Sequence, residues 1–335
     1  MSIRIGVAGC GKHALARIIP LLQTSKELDL VALWTRKPLA HAGLKECGVK
    51  AVHDDFHDFL AVDMDVVYVA SVTGCHFAHA AEALRSGRHV WVEKPLVSSL
   101  SDAHELVRLA AQSGRMLAEC FMFTWHEQAR AIRETLAQGL LGEQRMVSLA
   151  FGFPHLRADD FRYDPVLGGG AWLDHGCYLV KAIDCYFPGD WTLLGGCMER
   201  EDRIVDVRGS ALLRRSADGM IAQLHWGFGQ SYVNELQVLG TEGRMRVASA
   251  FTKPAARSCS IMLETSMGQC TTVPIDNGNA YAAMLAGFCR QLANPASWAG
   301  MRQEILVQAE HLFRLQALLQ HPVRHFAAKA LPHAE

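Results

Sequence analysis

Apolar positions in the first third of the chain alternate between two patterns. Short apolar runs rich in β-branched residues, typical of buried strands, are separated by stretches with apolar residues at helical spacing. The runs cover residues 3–8, 30–34, 66–70, 89–93 and 116–121. Strands that alternate with helices at this spacing predict an α/β domain with a doubly wound parallel sheet, which we place at residues 1–122.

The pattern changes after a predicted helix at 127–139. Short strands then follow one another without helices between them, at 146–153, 195–198, 205–213, 220–228, 232–239, 245–248, 259–264 and 268–274. Such a series predicts one large, mostly antiparallel open sheet in a second α/β domain, residues 123–335. Helices predicted at 280–293 and 300–320 belong to this range, but the sequence leaves open which domain they pack on.

A glycine turn follows the first strand and precedes a helical pattern at 15–22. In the motif Gly-x-Gly-x-x-Ala the glycines permit a tight turn, and a helix start attracts a pyrophosphate. We predict a dinucleotide site with contacts from Gly9, Gly11, Lys12, His13 and Ala14. The alternative is an ordinary strand-to-helix turn.

The second strand ends in Thr35, Arg36 and Lys37. A cofactor with a free ribose 2′-hydroxyl favours an acidic residue at this place, whereas a hydroxyl and two cations suit a 2′-phosphate. The sequence therefore predicts NADP(H) rather than NAD(H). The alternative is that both cations are solvated loop charges.

Lys94 stands where the fourth strand of the first domain ends, between Glu93 and Pro95. Proline cannot continue the ladder, and ligands bind beyond the carboxyl ends of parallel strands. We therefore predict that Lys94 is catalytic and that Glu93 lies beside the cofactor. The alternative for Lys94 is a solvated lysine at a strand end. Ser71, Thr73 and His76 follow the neighbouring strand and are predicted cofactor contacts.

Three glycines at 168–170 open a helical pattern in the second domain. Asp174 and Tyr178 are four residues apart and share one helix face, while His175 points about 100° away from Asp174, so these three do not form one cluster. Asp174 could hold a substrate hydroxyl, orient Lys94 or complement the helix start. Arg162, Tyr163 and Tyr232 are predicted substrate contacts, although solvated loop residues would look the same.

The composition of the 335-residue chain excludes several classes of function. Thirty-three basic and 34 acidic residues leave no field that would attract nucleic acid or an anionic membrane. No apolar run reaches the roughly 18 residues of a membrane span, and ten cysteines without a Cys-x-x-Cys pair indicate a reducing, cytoplasmic location.

Two groups of histidines raise the question of a metal. His53 and His57 stand in an acidic run that reads as a polar loop, and His76 and His79 have helical spacing. A catalytic zinc site needs three convergent ligands and a supporting shell, so we predict no metal.

Three motifs together resemble the Gfo/Idh/MocA oxidoreductases: the glycine turn, Glu-Lys-Pro at 93–95, and Gly-Gly-Gly-Ala-x-x-Asp-x-Gly-x-Tyr at 168–178. Within that family, residues 119–123, 162–163 and 251–254 look closest to nucleotide-sugar 3-ketoreductases. The resemblance implies a Rossmann domain, a substrate domain whose open sheet often forms an oligomer interface, and a Lys94 that touches both nicotinamide and substrate. It thereby suggests a homodimer or homotetramer. Cys120 departs from the asparagine of related ketoreductases and receives no cofactor role.

The chemistry of Tyr178 favours ketone reduction. Many dehydrogenases of the family carry histidine at this place, and a neutral imidazole accepts a proton from an alcohol. A phenol with an ordinary pKa of about 10 instead donates a proton to the oxygen of a reduced ketone, and a nearby ammonium stabilises the charge that develops. We therefore predict an NADPH-dependent reductase of a keto-sugar, nucleotide-linked or free. The alternatives are a dehydrogenase of a polyol, inositol or dihydrodiol, a non-catalytic dinucleotide sensor, and for Tyr178 itself a packing role.

Overall fold

The first lobe is built on a parallel sheet of six strands. Its order is β3-β2-β1-β4-β5-β6, the doubly wound order in which the strand sequence reverses beside the first strand. This computed structural model describes residues 2–36, 49, 51–253, 259–276 and 278–320. The strands are β1 Ile3–Ala8, β2 Leu28–Trp34, β3 Ala51–His53, β4 Val66–Val69, β5 His89–Glu93 and β6 Leu117–Cys120.

Helices cover both faces of this sheet. A π-helical turn at Ala14–Ile18 continues as α1 Ile19–Thr24, followed by α2 Phe56–Ala61, α3 His76–Arg85 and α4 Leu100–Ser113. The side chains of Asp55 and Ser99 accept backbone N–H groups at the starts of α2 and α4, the usual N-cap chemistry. The sequence prediction of a polar loop at 53–58 is therefore wrong: His53 ends β3, and α2 begins at Phe56.

The second lobe carries an eight-stranded sheet in the order β14-β13-β12-β11-β7-β10-β9-β8. All its pairs are antiparallel except β7 with β10. This confirms the predicted mostly antiparallel sheet. Its strands are β7 Gln144–Phe153, β8 Trp191–Glu199, β9 Arg208–Arg215, β10 Ile221–Phe228, β11 Val233–Gly240, β12 Gly243–Ala248, β13 Cys259–Thr265 and β14 Cys270–Ile275.

Four further α-helices follow the first sheet along the described part of the chain. They are α5 Glu127–Ala137, α6 Cys177–Tyr186, which continues a π-helical turn at Trp172–Gly176, α7 Ala280–Leu292 and α8 Trp298–Leu319. In α7, the ring of Phe288 packs against Trp91 of β5. In α8, Ile305 and Ala309 belong to the core of the first lobe, while the Leu312 carbonyl accepts the indole N–H of Trp172 in the second. Both C-terminal helices thus pack on the first lobe, which the sequence left open.

Candidate active site

Lys94 lies at the carboxyl edge of the parallel sheet and reaches the second lobe. Its Nζ donates to the backbone oxygen and to Oδ1 of Asp174, both at 2.9 Å, and lies 4.6 Å from the centre of the Tyr178 ring. Burial alone lowers the pKa of Lys94, but the Asp174 carboxylate outweighs burial and holds that pKa above its ordinary value. Lys94 therefore stays an ammonium ion in the cleft.

Asp174 is shared between two cations. Its Oδ2 accepts a hydrogen bond of 2.7 Å from Nε of Arg162, whose Nη1 donates to Asp160 at 3.2 Å. Burial opposes ionisation of Asp174, yet the charges of Lys94 and Arg162 outweigh it and hold the pKa of Asp174 far below its usual range. The result is a chain of alternating charges, Lys94–Asp174–Arg162–Asp160, in which each ion has a partner of opposite sign.

Tyr178 places a protonated phenol next to the Lys94 ammonium group. The side chain is 4 % exposed, and among the described residues its hydroxyl has one hydrogen-bond partner, the Met122 sulfur at 3.8 Å. Burial raises the pKa of Tyr178 well above 10, so the hydroxyl keeps its proton at neutral pH. Four phenylalanine rings surround the phenol with centroids at 5.2–5.9 Å: Phe121, Phe123, Phe151 and Phe251.

His175 lies closer to Asp174 than an α-helical geometry predicts. Its Nε2 is 3.6 Å from Oδ2 of Asp174, because residues 172–176 form a wider π-helical turn. The prediction that His175 stays apart from Asp174 is thus wrong. The ring is enclosed by Phe151, Phe153 and Phe228, and burial lowers the pKa of His175 to about 3, so it is a neutral neighbour.

The glycine turn has the shape that a dinucleotide needs. Gly9 has φ +116°, and a Cβ there would lie 2.6 Å from the backbone nitrogen of Ser71, so only glycine fits. A Cβ on Gly11 would meet nothing within 4 Å, which leaves open space beside the turn for a pyrophosphate. Lys12 and His13 are exposed at this opening, whereas Ala14 is buried. The residues present therefore fit a bound dinucleotide.

Glu93 ties the glycine turn to the sheet edge. Its Oε1 accepts a bond of 2.5 Å from the Tyr68 hydroxyl and lies 3.0 Å from Nε2 of His13. Burial opposes ionisation of Glu93, but its contacts with His13 and Tyr68 outweigh burial and keep the pKa of Glu93 below its usual value. Glu93 thus holds His13 at the position where the sequence predicts the cofactor.

The turn after β4 lies beside these groups. The two ring nitrogens of His76 are 2.9 Å from the Pro95 oxygen and 3.0 Å from the Ser71 oxygen, and Ser71 Oγ contacts His79 at 3.0 Å. Both nitrogens of His76 thus face carbonyl oxygens of the protein, one of them on the turn that carries Lys94. The cofactor contact of His76 stays a prediction. Thr73 is buried against the second lobe, where the Leu167 oxygen accepts the next backbone N–H at 2.9 Å.

Two of the three residues expected at the 2′-phosphate end follow β2 directly. Thr35 is buried and Arg36 is exposed, while Lys37 falls outside the described residues. His79 lies near Arg36 and packs on the Trp34 ring with centroids 4.7 Å apart. The predicted cationic end of the site is compatible with this geometry.

The predicted substrate contacts fall into two groups. Arg162 is committed to Asp174 and Asp160, so its first role is to position Asp174. The Tyr163 hydroxyl accepts from the backbone N–H of Leu156 at 3.2 Å and lies 3.3 Å from Nδ1 of His155, so protein groups already engage it. Tyr232 is 48 % exposed, and its hydroxyl accepts from Asn234 at 2.9 Å.

Two site groups escaped the sequence analysis. Oε1 of Glu119 accepts the backbone N–H of Leu96 at 2.8 Å, and burial raises the pKa of Glu119 to about 7 against the opposing charges of Lys181 and Lys94. Tyr281, at the start of α7, places its ring 5.4 Å from that of His13. The end of β6 could have pointed to Glu119, but no local pattern places Tyr281.

The described residues also bear on metal binding and on membrane crossing. No group of three His, Cys, Asp or Glu side chains there is arranged to hold a metal ion. Over the same ranges, no helix combines the length and apolar character that crossing a membrane requires.

The fold and site together define an oxidoreductase with a dinucleotide-binding lobe and a second lobe that completes the active centre. Residues 3–121 match the oxidoreductase family described as an NAD-binding Rossmann fold, and residues 129–246 match the C-terminal domain of the same family. The chain belongs to the Gfo/Idh/MocA family of NAD(P)-dependent oxidoreductases.

Similar proteins include sugar reductases and sugar dehydrogenases. The dTDP-3,4-didehydro-2,6-dideoxy-alpha-D-glucose 3-reductase of Saccharopolyspora spinosa is 36 % identical over 78 % of this chain and 79 % of its own. The D-xylose 1-dehydrogenase (NADP(+)) 2 of Haloferax volcanii is 28 % identical over 85 % and 87 %. A 3-ketoreductase from Actinomadura kijaniata, solved with TDP-benzene and NADP, has a TM-score of 0.88 at 29 % identity, over 95 % of this chain and 98 % of that one.

Proposed function

We propose that this protein is an NADPH-dependent ketoreductase that reduces the 3-keto group of a nucleotide-linked deoxysugar. The observation that carries the proposal is the meeting of Lys94, from the first lobe, with Asp174 and Tyr178, from the second, at the carboxyl edge of the parallel sheet. The activity named for the Saccharopolyspora relative and the ligands of the Actinomadura structure support this substrate class and cofactor.

The proposed roles follow from protonation states. NADPH, when bound at the glycine turn, supplies the hydride. Tyr178, which keeps its proton, donates it from the phenolic oxygen to the sugar oxygen. Lys94 remains charged and lies over the Tyr178 ring, where it stabilises negative charge on either oxygen. Asp174 holds Lys94 in place, and Arg162 holds Asp174.

The aromatic surroundings of Tyr178 restrict which proton donor is available. Four phenylalanine rings keep water away from one side of the Tyr178 phenol. The proton that the sugar oxygen receives therefore comes from Tyr178 rather than from water on that side. Within the part of the chain that the structure describes, the Tyr178 hydroxyl donates only to the Met122 sulfur, and a sulfur is a weak acceptor. The hydroxyl is thus able to turn to a substrate oxygen without losing a strong hydrogen bond.

The decisive experiment measures NADPH oxidation with a panel of keto-sugars, each in free and in nucleotide-diphosphate form. We expect turnover with a nucleotide-linked 3-keto-deoxysugar and at least tenfold lower kcat/KM for the free sugar. Absence of turnover across all ketones, with NADPH bound, would reject the proposal.

A sugar dehydrogenase is the second candidate, because the Haloferax relative carries that activity in its name. The same assay run backwards separates the two. Faster NADP⁺ reduction with free aldoses or polyols than NADPH oxidation with any ketone would favour the dehydrogenase.

We extend the proposal to organisation and location. The division into residues 1–122 and 123–335 is supported by the two separate sheets, although α7 and α8 pack on the first lobe.

One face of the second sheet carries a row of side chains that runs across six strands: Leu212, Gln223, Ser148, Gln237, Arg246 and Met262. The two apolar side chains of this row, Leu212 and Met262, are exposed. We propose this face as the contact of a homodimer or homotetramer; light scattering of wild type and Leu212→Glu tests it, and an unchanged mass would contradict it.

A cytoplasmic location is part of the same proposal. The nine cysteines in the described part of the chain are all free thiols, which fits a reducing compartment. Thiol titration of protein isolated without reductant should return free cysteines, and disulfides would argue against this location.

A further inference from the structure

Tyr281 reaches the active centre from a helix far along the chain. Its ring centre is 5.4 Å from that of His13, the exposed histidine of the glycine turn, and the two planes are inclined by 59°. Asn279 fixes the start of α7 by accepting the backbone N–H groups of Tyr281 and Ala282 at 3.0 and 3.2 Å. Tyr281 is therefore held at a capped helix end rather than on a free loop.

The length of α7 explains why Tyr281 lies at the sheet edge. Phe288 of the same helix packs on Trp91 of β5, with ring centres 5.3 Å apart. Seven helical residues from Phe288 back to Tyr281 span about 10 Å, and the three residues from Trp91 to Lys94 span about the same distance along a strand. The helix thus runs along β5 and brings Tyr281 to the end of the strand, where Lys94 stands.

The Tyr281 hydroxyl is close enough to Tyr178, Glu93 and Lys94 for their charges to act on it, but it forms no hydrogen bond with them. Burial, together with the nearby Tyr178 and Glu93, raises the pKa of Tyr281 well above 10, so the hydroxyl is a donor at neutral pH. Across the described ranges it has no hydrogen-bond partner. A half-buried phenol beside the glycine turn, with no acceptor among the described residues, is free to donate to a ligand.

We propose that Tyr281 is a binding residue for the nicotinamide–ribose end of the dinucleotide, which it encloses together with His13. The inference rests on the cofactor part of the proposed function and not on the identity of the sugar. The phenol supplies one hydrogen bond, and its ring covers a face of the ligand between the glycine turn and Lys94.

The test compares two ligands in direct binding experiments. Calorimetry measures Kd for NADPH and for adenosine 2′,5′-bisphosphate, which lacks the nicotinamide end, with wild type, Tyr281→Phe and Tyr281→Leu. We expect Kd for NADPH to rise about fivefold in Tyr281→Phe, as one hydrogen bond predicts, and more in Tyr281→Leu. Kd for the bisphosphate stays within twofold in both variants.

The control is Tyr186→Phe, which removes the hydroxyl of a buried tyrosine at the end of α6. It should leave both Kd values unchanged. Equal loss of affinity for both ligands would overturn the proposal, because the effect would then come from the fold. An unchanged Kd for NADPH in Tyr281→Leu, with a raised KM for the sugar, would also overturn it and assign the residue to the substrate. Binding of NADPH by wild type keeps this test independent of whether a keto-sugar is reduced.

Discussion

Removal of one oxygen atom in Tyr178→Phe should separate catalysis from stability. A general acid contributes a factor of about 10²–10⁴ to the rate, equivalent to about 3–5 kcal/mol in the barrier, so kcat for ketone reduction should fall by that factor. The fold should hardly respond. The one hydrogen bond of the Tyr178 hydroxyl to the described residues is to the Met122 sulfur at 3.8 Å, a weak bond whose loss costs less than about 1 kcal/mol of unfolding free energy.

The assay combines three measurements on the same preparation: kcat from NADPH oxidation, Kd for NADPH, and the urea midpoint of unfolding. We expect only kcat to change, because the ring of Tyr178 and its four phenylalanine contacts remain. Tyr186→Phe, on the same helix, is the matched control and should equal wild type throughout. A kcat within fivefold of wild type would refute the role of Tyr178 as the acid. An equally large drop in the unfolding free energy would refute the argument that its hydroxyl is structurally idle.

Three further predictions follow from charges. Asp174→Asn leaves Lys94 without its buried counter-ion, so the unfolding free energy should fall by about 3 kcal/mol in urea titrations together with kcat; unchanged stability would contradict the ion pair. Arg36→Ala should raise Kd for NADPH about 10–100-fold and leave Kd for NADH unchanged, and equal effects on both would contradict 2′-phosphate recognition. The raised pKa of Glu119, about 7 against 4.5 when unfolded, means that its contribution to stability is fully present below pH 4.5 and is lost as pH rises through 7. Glu119→Gln should therefore reduce the fall in stability between pH 5 and 8 by up to about 3 kcal/mol, measured by urea midpoints across that range, and an unchanged pH dependence would show that Glu119 titrates normally.

Much of the fold could be predicted because its patterns are local. Five of the six strands of the first sheet and the series of strands in the second follow from apolar periodicity, and the strand β8 begins at Trp191, only a few residues before the predicted start. The bounds of β3 and α2 do not follow from the pattern, which indicates only a polar loop between strand-like and helical segments. Three- and six-residue elements in an acidic stretch carry too few apolar positions to show a period.

The site divides along a similar line. Lys94 at a strand end and the pair Asp174 and Tyr178 on one helix face are statements about neighbours within a single element, and such statements can be made from spacing. His175 shows where spacing fails, because the π-helical turn at 172–176 does not have the α-helical angle of about 100° per residue. His76 shows another limit, because its partners Pro95 and Ser71 lie on separate turns.

Local patterns in the sequence place most of the strands and helices, the glycine turn and the side chains at the strand ends. Three contacts depend on the three-dimensional packing. Lys94 bonds to Asp174, 80 residues away; Arg162 bonds to the same carboxylate; and the Tyr281 ring lies against His13. Side-chain period and helix caps act between residues a few positions apart, whereas these contacts depend on how two sheets and the C-terminal helices pack together, which is set by burial of the whole core.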